Sequence, residues 1–211
     1  MQRSHILRAS GRKIEFVGAV STSGSSSLSL TGITDLKLGD VVVAFSQADN
    51  TTHTLTSSGW SGWNSNFPGS NTNQLIHNIA AYKTMGATPD TSIQVNQTVD
   101  VICAAAFRNA QWASSTSSAG GGNISSITAP SLTINQSDSA AIYFAMLDDD
   151  NSTITGVPTG YTIATQNARV GGTGGIIYRL ERPAGTESPS GSITFSSADS
   201  IFVRGLVLET P

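Results

Sequence analysis

Charged residues are scarce in this 211-residue chain. They make up 12% of the sequence, about half of the fraction in an ordinary globular protein, and Ser, Thr, Asn and Gly stand in their place. The net charge is −3 and the sequence pI is near 5.5, so the chain offers no strong positive field to a nucleic acid. We therefore expect a neutral, hydroxyl-rich surface and no nucleic-acid partner.

Cysteine and long apolar runs are also scarce. Cys103 is the single cysteine, so no internal disulfide can form, and its apolar neighbours in "VICAAAF" predict a buried thiol. No run reaches the roughly 20 apolar residues of a membrane helix, and the N-terminus lacks the apolar core of a signal peptide. We expect a soluble protein that is made without Sec export and has no membrane insertion.

Helical periodicity is missing, and the pattern that is present belongs to strands. About a dozen short runs rich in Val, Ile, Thr, Tyr and Phe, such as "DVVVAF", "AAIYFAML" and "IFVRGLVLE", are separated by clusters of Gly, Ser, Asn, Asp or Pro. Short strands with turn signals between them favour antiparallel sheets over alternating βαβ units. The sequence therefore predicts an all-β protein, a single antiparallel β-sandwich that is jelly-roll-like.

An internal repeat divides the chain. "VVVAFSQADNTTHTLTSSGW" aligns with "YFAMLDDDNSTITGVPTGY", so that Trp60 matches Tyr161 at an offset of 161 − 60 = 101, and "YK" at Tyr82 matches "YR" at Tyr178 at an offset of 178 − 82 = 96. Shared order with drifting loop lengths is typical of a duplicated unit. Two halves of this size can pool their apolar faces, so we expect one core.

The domain boundaries follow from the repeat. We expect a basic arm over residues 1–14 and one sandwich domain over residues 15–211. Its half-repeats cover about 15–112 and 124–211, and the polar, Gly-rich segment 113–123 forms the seam between them.

The order of the predicted strands and of the turn motifs between them resembles that of a known protein family. "LKLGDVVVAF…SSGW…AAYKT…DVICAAAFRNA", followed by "AAIYFAMLDDDN…GYT…IIYRLERPAG…FVRGLVLE", resembles the duplicated β-sandwich modules of tailed-bacteriophage structural proteins. The resemblance covers nearly the whole chain after about Glu15. It implies a non-enzymatic virion component, an accessory of the tail or neck or a capsid decoration, present in several copies or as a homo-oligomer among other virion proteins. The module makes up nearly the whole chain here, whereas it often closes longer fibre proteins.

The N-terminal arm is the predicted attachment element. Arg3, Arg8, Arg12 and Lys13 come before the first acidic residue, Glu15. Arginines form charge-assisted, often bidentate bonds to carboxylates, so we expect the arm to bind an acidic partner in the particle. The alternative is a solvated chain end.

Catalytic motifs are missing from the sequence. His5, His53 and His77 show no metal-binding spacing, and no nucleophile elbow occurs. Glycosidase chemistry would need a separated pair of carboxylates, and adjacent acids after a strand are more typical of a solvated turn. We therefore expect no enzymatic activity and no cofactor.

One acidic turn is a candidate calcium site. Asp148, Asp150 and Asn151 follow a predicted strand and offer oxygen ligands, although the glycine and the spacing of an EF-hand are missing. The other half of the repeat has Asp49-Asn50 at the matching turn, and Asx residues bond their own backbone in turns. Turn formation explains both copies, whereas calcium explains one.

A polar-aromatic segment after Trp60 is the main alternative functional site. We expect Trp60 itself to belong to the repeated framework, since Tyr161 matches it. The unrepeated segment that follows offers an indole face beside amides, which suits a host surface glycan. The predicted ligand residues of this glycan-recognising, receptor-binding loop are Trp63, Asn64, Asn66, Phe67, Asn71 and Asn73.

Overall fold

Strands dominate the structure. The computed structural model describes residues 12–49, 51–68, 75–119, 122–148 and 151–211, and these contain no helix and therefore none that could span a membrane. The predicted all-β fold class is confirmed. The strands are β1 (Glu15–Ser29), β2 (Val41–Asp49), β3 (Ser61–Pro68), β4 (Leu75–Thr84), β5 (Ser92–Arg108), β6 (Gln111–Ala119), β7 (Ile124–Thr128), β8 (Leu132–Ile134), β9 (Ser139–Leu147), β10 (Ile154–Gly156), β11 (Thr162–Arg169), β12 (Gly172–Arg182), β13 (Gly185–Glu187), β14 (Ser192–Asp199) and β15 (Ile201–Glu209).

Two five-stranded antiparallel sheets form the body of the molecule. The first has the order β1-β5-β2-β4-β3, and the second has the order β11-β12-β9-β15-β6. From its other end, the second sheet has the order β6-β15-β9-β12-β11. When the five strands of each sheet are counted along the chain, both sheets have the order first, fifth, second, fourth and third. The two halves of the chain therefore build sheets with the same connectivity, as a duplicated unit would.

The two large sheets pack face to face. Their shared cluster takes side chains at alternate positions of the central strands, including Val43 and Phe45 of β2 and Ile142 and Phe144 of β9. The rings of Phe45 and Phe144 meet across the interface with centroids 5.4 Å apart. Alternation places every second residue of a strand on one face, so the opposite residues of the same strands face outward.

Those outward residues are buried as well. Val42 and Ala44 of β2 belong to a second cluster, which the ends of the long strands β1 and β5 cover with Leu28 and Ile93. On the second sheet, a third cluster lies under the small sheets β10-β14-β7 and β13-β8. The halves therefore share the cluster in which their apolar faces are pooled, and each half has in addition a cluster of its own that the sequence did not lead us to expect.

Three details of the chain path differ from expectation. The first five strands stay in one sheet, whereas a jelly roll divides its strands over two sheets. The predicted seam is largely strand β6, which pairs with β15 along its length. Ile14, assigned to the arm, is 3% exposed and packs in the shared cluster, so the folded body begins before residue 15.

The contact between the sheets predicts a specific sensitivity at Gly174. A Cβ on Gly174 of β12 would overlap the ring of Phe45, so Gly174→Ala should lower the free energy of unfolding by about 1–3 kcal/mol, as overpacking does. Equilibrium unfolding in urea measures this change. Gly86→Ala is the matched control, since a Cβ there meets nothing within 4 Å. Equal changes in the two variants would contradict the proposed close packing.

Candidate functional site

A polar groove opens at one end of the first half. It has a volume of about 390 Å³ and lies between the segment before β3 and the connection from β4 to β5. Five hydroxyl side chains and one ion pair dominate its lining. The lining residues are Ser57, Ser58, Lys83, Thr88, Pro89, Asp90, Thr91 and Ser92.

An aromatic residue, a base and an acid fix the geometry of this groove. Trp60 donates its indole N–H to Asp90 Oδ2 at 2.8 Å. Lys83 Nζ lies 2.9 Å from Asp90 Oδ1 and 2.8 Å from Oδ2, and it also donates to the backbone carbonyl of Ser58 at 3.1 Å. The side chains of Lys83 and Asp90 are 20% and 25% exposed. The ion pair is therefore held in place but remains accessible from the groove. We call these three side chains the Trp60 clamp.

Local backbone structure positions the Trp60 clamp. Thr56 N–H donates to the carbonyl of Gln94 at 2.9 Å, and Gln94 N–H donates to Ser57 Oγ at 2.7 Å. These bonds fasten the segment before β3 to the start of β5. Gly59 then turns the chain with a φ of 75°, a conformation that favours glycine. Trp60, the residue directly before β3, thus lies on the same carboxylate as Lys83.

The second half contains a counterpart of the Trp60 clamp. Tyr161 donates its hydroxyl to Glu187 Oε1 at 2.7 Å, and Arg179 Nη1 lies 3.8 Å from the same oxygen. Arg182 adds two further bonds to Glu187 Oε2, and Glu187 is only 5% exposed. Burial raises the pKa of the Tyr161 hydroxyl, so this hydroxyl stays a donor. The matching of Trp60 with Tyr161 and of Lys83 with Arg179 agrees with these contacts.

The acidic residues of the two clamps, Asp90 and Glu187, were not among the site residues predicted from the sequence. Asp90 follows Lys83 by 90 − 83 = 7 residues, and Glu187 follows Arg179 by 187 − 179 = 8 residues. The shared order of aromatic residue, base and acid was a usable signal, but the intervening loops differ in length and hide the alignment.

The predicted glycan loop is largely a strand. Trp63, Asn64, Asn66 and Phe67 lie in edge strand β3, paired with Ala80, Ile79, His77 and Ile76 of β4. Their side chains lie outside the described part of the structure, as do residues Asn71 and Asn73 altogether. Glycan binding at this segment stays a prediction, with the correction that residues 63–67 are strand rather than loop.

The structure describes two of the four predicted arm residues. Lys13 forms an ion pair with Glu181 at 2.7 Å, which raises the pKa of Lys13 through the hydrogen bond from its ammonium group. Asn109 also donates to the backbone carbonyl of Lys13 at 3.1 Å. Arg12 is exposed beside Lys37 and Arg108, whereas Arg3 and Arg8 lie outside the described residues. Lys13 therefore anchors the arm to the body.

The predicted calcium site is only partly described. Asp148 is 6% exposed at the end of β9, and Asn151 is exposed with a φ of 58°. Asp150 lies outside the described residues. Within the described ranges, no group of three His, Cys, Asp or Glu side chains could hold a metal ion. The positive φ of Asn151 fits the turn interpretation.

A serine and a histidine also meet inside the first half. Ser46 Oγ lies 2.7 Å from His53 Nε2, and the two residues are 3% and 2% exposed. Burial lowers the pKa of His53 to about 4, so its imidazole is neutral at ordinary pH. This buried pair ties the segment after β2 to the sheet.

Comparison with known proteins yields no match to a family model, to a curated protein or to a solved structure.

The two clamps predict a graded loss of stability. Trp60→Phe and Tyr161→Phe each remove one donor to a carboxylate while keeping an aromatic ring. We expect losses of about 1–3 kcal/mol, because hydrogen bonds to charged groups fall in this range. The loss should be larger for Tyr161→Phe, since Glu187 is more buried than Asp90. Urea unfolding of both variants measures the order, and the reverse order would contradict this reading.

Proposed function

We propose that the protein is a non-enzymatic, multi-copy structural component of a tailed-phage particle. It serves as an accessory of the tail or neck or as a capsid decoration, and its N-terminal arm contributes to attachment. The strand pattern shared with phage structural modules and the all-β fold support this proposal. The observation that carries it is the chemistry of two sheet edges.

The two edges are strands β3 and β6, and they lie on the same side of the molecule. The position of the other two end strands, β1 and β11, shows this. β1 and β11 lie side by side, joined by the bond from Thr165 Oγ1 to Ser21 Oγ at 2.9 Å. The strand orders then place β3 and β6 at the opposite side, each as the last strand of its sheet. We call β3 and β6 the open edges.

The open edges carry no charge. The sequences of β3 and β6 are "SGWNSNFP" and "QWASSTSSA", without a single Lys, Arg, Asp or Glu. Monomeric proteins commonly protect edge strands with charged side chains, because unpaired backbone groups invite a further strand. Uncharged edges require little desolvation when a neighbour binds. They suit a protein that packs against other subunits.

The start of the folded body supports the role of the arm. Lys13 and Ile14 are held by Glu181 and by the shared cluster, so the folded body is anchored directly after residue 12. Removing residues 1–12 keeps both anchors. The arm can therefore be tested without disturbing the fold.

Particle composition tests the proposed function. We expect purified phage particles from the source organism to contain this protein in a fixed ratio to a major capsid or tail protein, measured by quantitative mass spectrometry. Particles made with a copy lacking residues 1–12 should contain less of it, whereas its level in the lysate should not change.

Two results would count against the proposal. A protein that is abundant in the lysate but missing from purified particles would contradict the structural role. Full incorporation of the shortened chain would be compatible with the structural role, but it would exclude the arm as an attachment element. The Lys13→Ala variant with an intact arm controls for the ion pair with Glu181.

A further inference from the structure

We propose that the groove beside the Trp60 clamp binds a neutral saccharide. The ligand would contact the hydroxyl side chains of the groove and the exposed part of the Lys83–Asp90 pair. This site differs from the segment at Trp63–Asn73, because Ser61 of β3 pairs with Tyr82 beside the clamp, and Pro68 lies at the opposite end of that strand. The proposal does not rest on the particle assignment.

Hydrogen-bonding capacity in the groove is the first argument. Ser57 Oγ accepts a bond from Gln94 N–H. Ser58, Thr88 and Thr91 are exposed and Ser92 is half-buried, and their hydroxyls form no hydrogen bond to a residue in the described part of the chain. Each hydroxyl can donate one bond and accept two. Vicinal hydroxyls of a sugar have the same dual capacity. The groove thus offers several hydroxyl groups that can pair with those of a polyhydroxyl ligand.

The charge of the groove is the second argument. Lys83 and Asp90 neutralise each other at hydrogen-bond distance, so the lining has no net charge with which to attract a phosphate or an acidic sugar. Among the residues that the structure describes, Asp90 Oδ2 accepts from Trp60 and from Lys83, whereas Oδ1 accepts only from Lys83. A carboxylate oxygen has two lone pairs, so Oδ1 keeps capacity for a ligand hydroxyl. A neutral donor is the favoured partner of this oxygen.

The second half provides the third argument by comparison. There Arg182 donates to Glu187 Oε2, whereas Tyr161 donates to Oε1. The Glu187 side chain is 5% exposed, against 25% for the Asp90 side chain. Ser188, which follows Glu187 as Thr91 follows Asp90, is bonded to Ser131 at 3.0 Å. The carboxylate of the second clamp is thus closed off from solvent, and we call that clamp the sealed clamp. The carboxylate of the first clamp, in contrast, stays accessible to a ligand in the groove.

A glycan array tests the site directly. The fluorescently labelled chain of residues 1–211 is applied to neutral and acidic oligosaccharides, and the strongest neutral binder is then titrated by calorimetry. We expect the double variant Thr88→Val and Thr91→Val to bind about tenfold more weakly or worse, because each lost hydrogen bond is worth about 1 kcal/mol. Both substitutions keep the side-chain shape and leave the clamp intact, and thermal unfolding confirms that the variant is folded.

Two control variants make the outcome decisive. Ser188→Ala alters the corresponding position of the sealed clamp and should leave saccharide affinity unchanged. Trp63→Ala should also leave it unchanged. No binding to any neutral saccharide, or binding to acidic glycans only, would overturn the proposal. Binding that is lost in Trp63→Ala but kept in the double variant would place the site on β3 and overturn it as well.

Discussion

The packing of the two large sheets against each other is the constraint on which the rest of the structure depends. Phe45 of the first sheet reaches the backbone of Gly174 and the ring of Phe144 in the second. Close to it, Gln47 donates across the interface to the carbonyl of Leu147 at 3.1 Å, in space left by Gly172. Residues that contact both sheets tie the halves together, because neither half can bury this face alone. The clamps and the groove stand at the ends of elements that this interface fixes.

The halves share a framework but differ in their charges. In the first half, Arg108 Nε donates to the buried Asp40 at 3.0 Å and Arg108 Nη1 donates to Asp35 at 2.9 Å. At the corresponding corner of the second half, Glu209 accepts from the backbone N–H of Asn135 at 3.1 Å. The same two-sheet frame therefore accepts opposite charges at matching corners. The two clamps, in contrast, keep the same pair of charges, and the additional Arg182 on Glu187 distinguishes the sealed clamp from the open one.

Much of this framework could be predicted from the sequence, and the misses have physical causes. Short β-rich runs and Asx turns were enough for the all-β class, and the alignment of Trp60 with Tyr161 pointed to equivalent positions. β3 and β6 were misread as loop and seam because Gly, Ser and Asn have low intrinsic strand preference, which pairing with a neighbouring strand overrides. The separate cores were missed because strands buried on both faces lose the alternation that reveals an exposed face. The groove was missed because it joins loops that are distant in sequence.

Hydrogen exchange measured by mass spectrometry tests most directly whether the interface between the sheets couples the two halves. Exchange from the central strands is limited by the cooperative opening of the unit that contains them. We predict that peptides from β2 and from β9 exchange with the same free energy of opening, because the shared cluster makes the halves unfold together. Protection that persists in β9 while β2 exchanges at a markedly lower free energy would contradict the account.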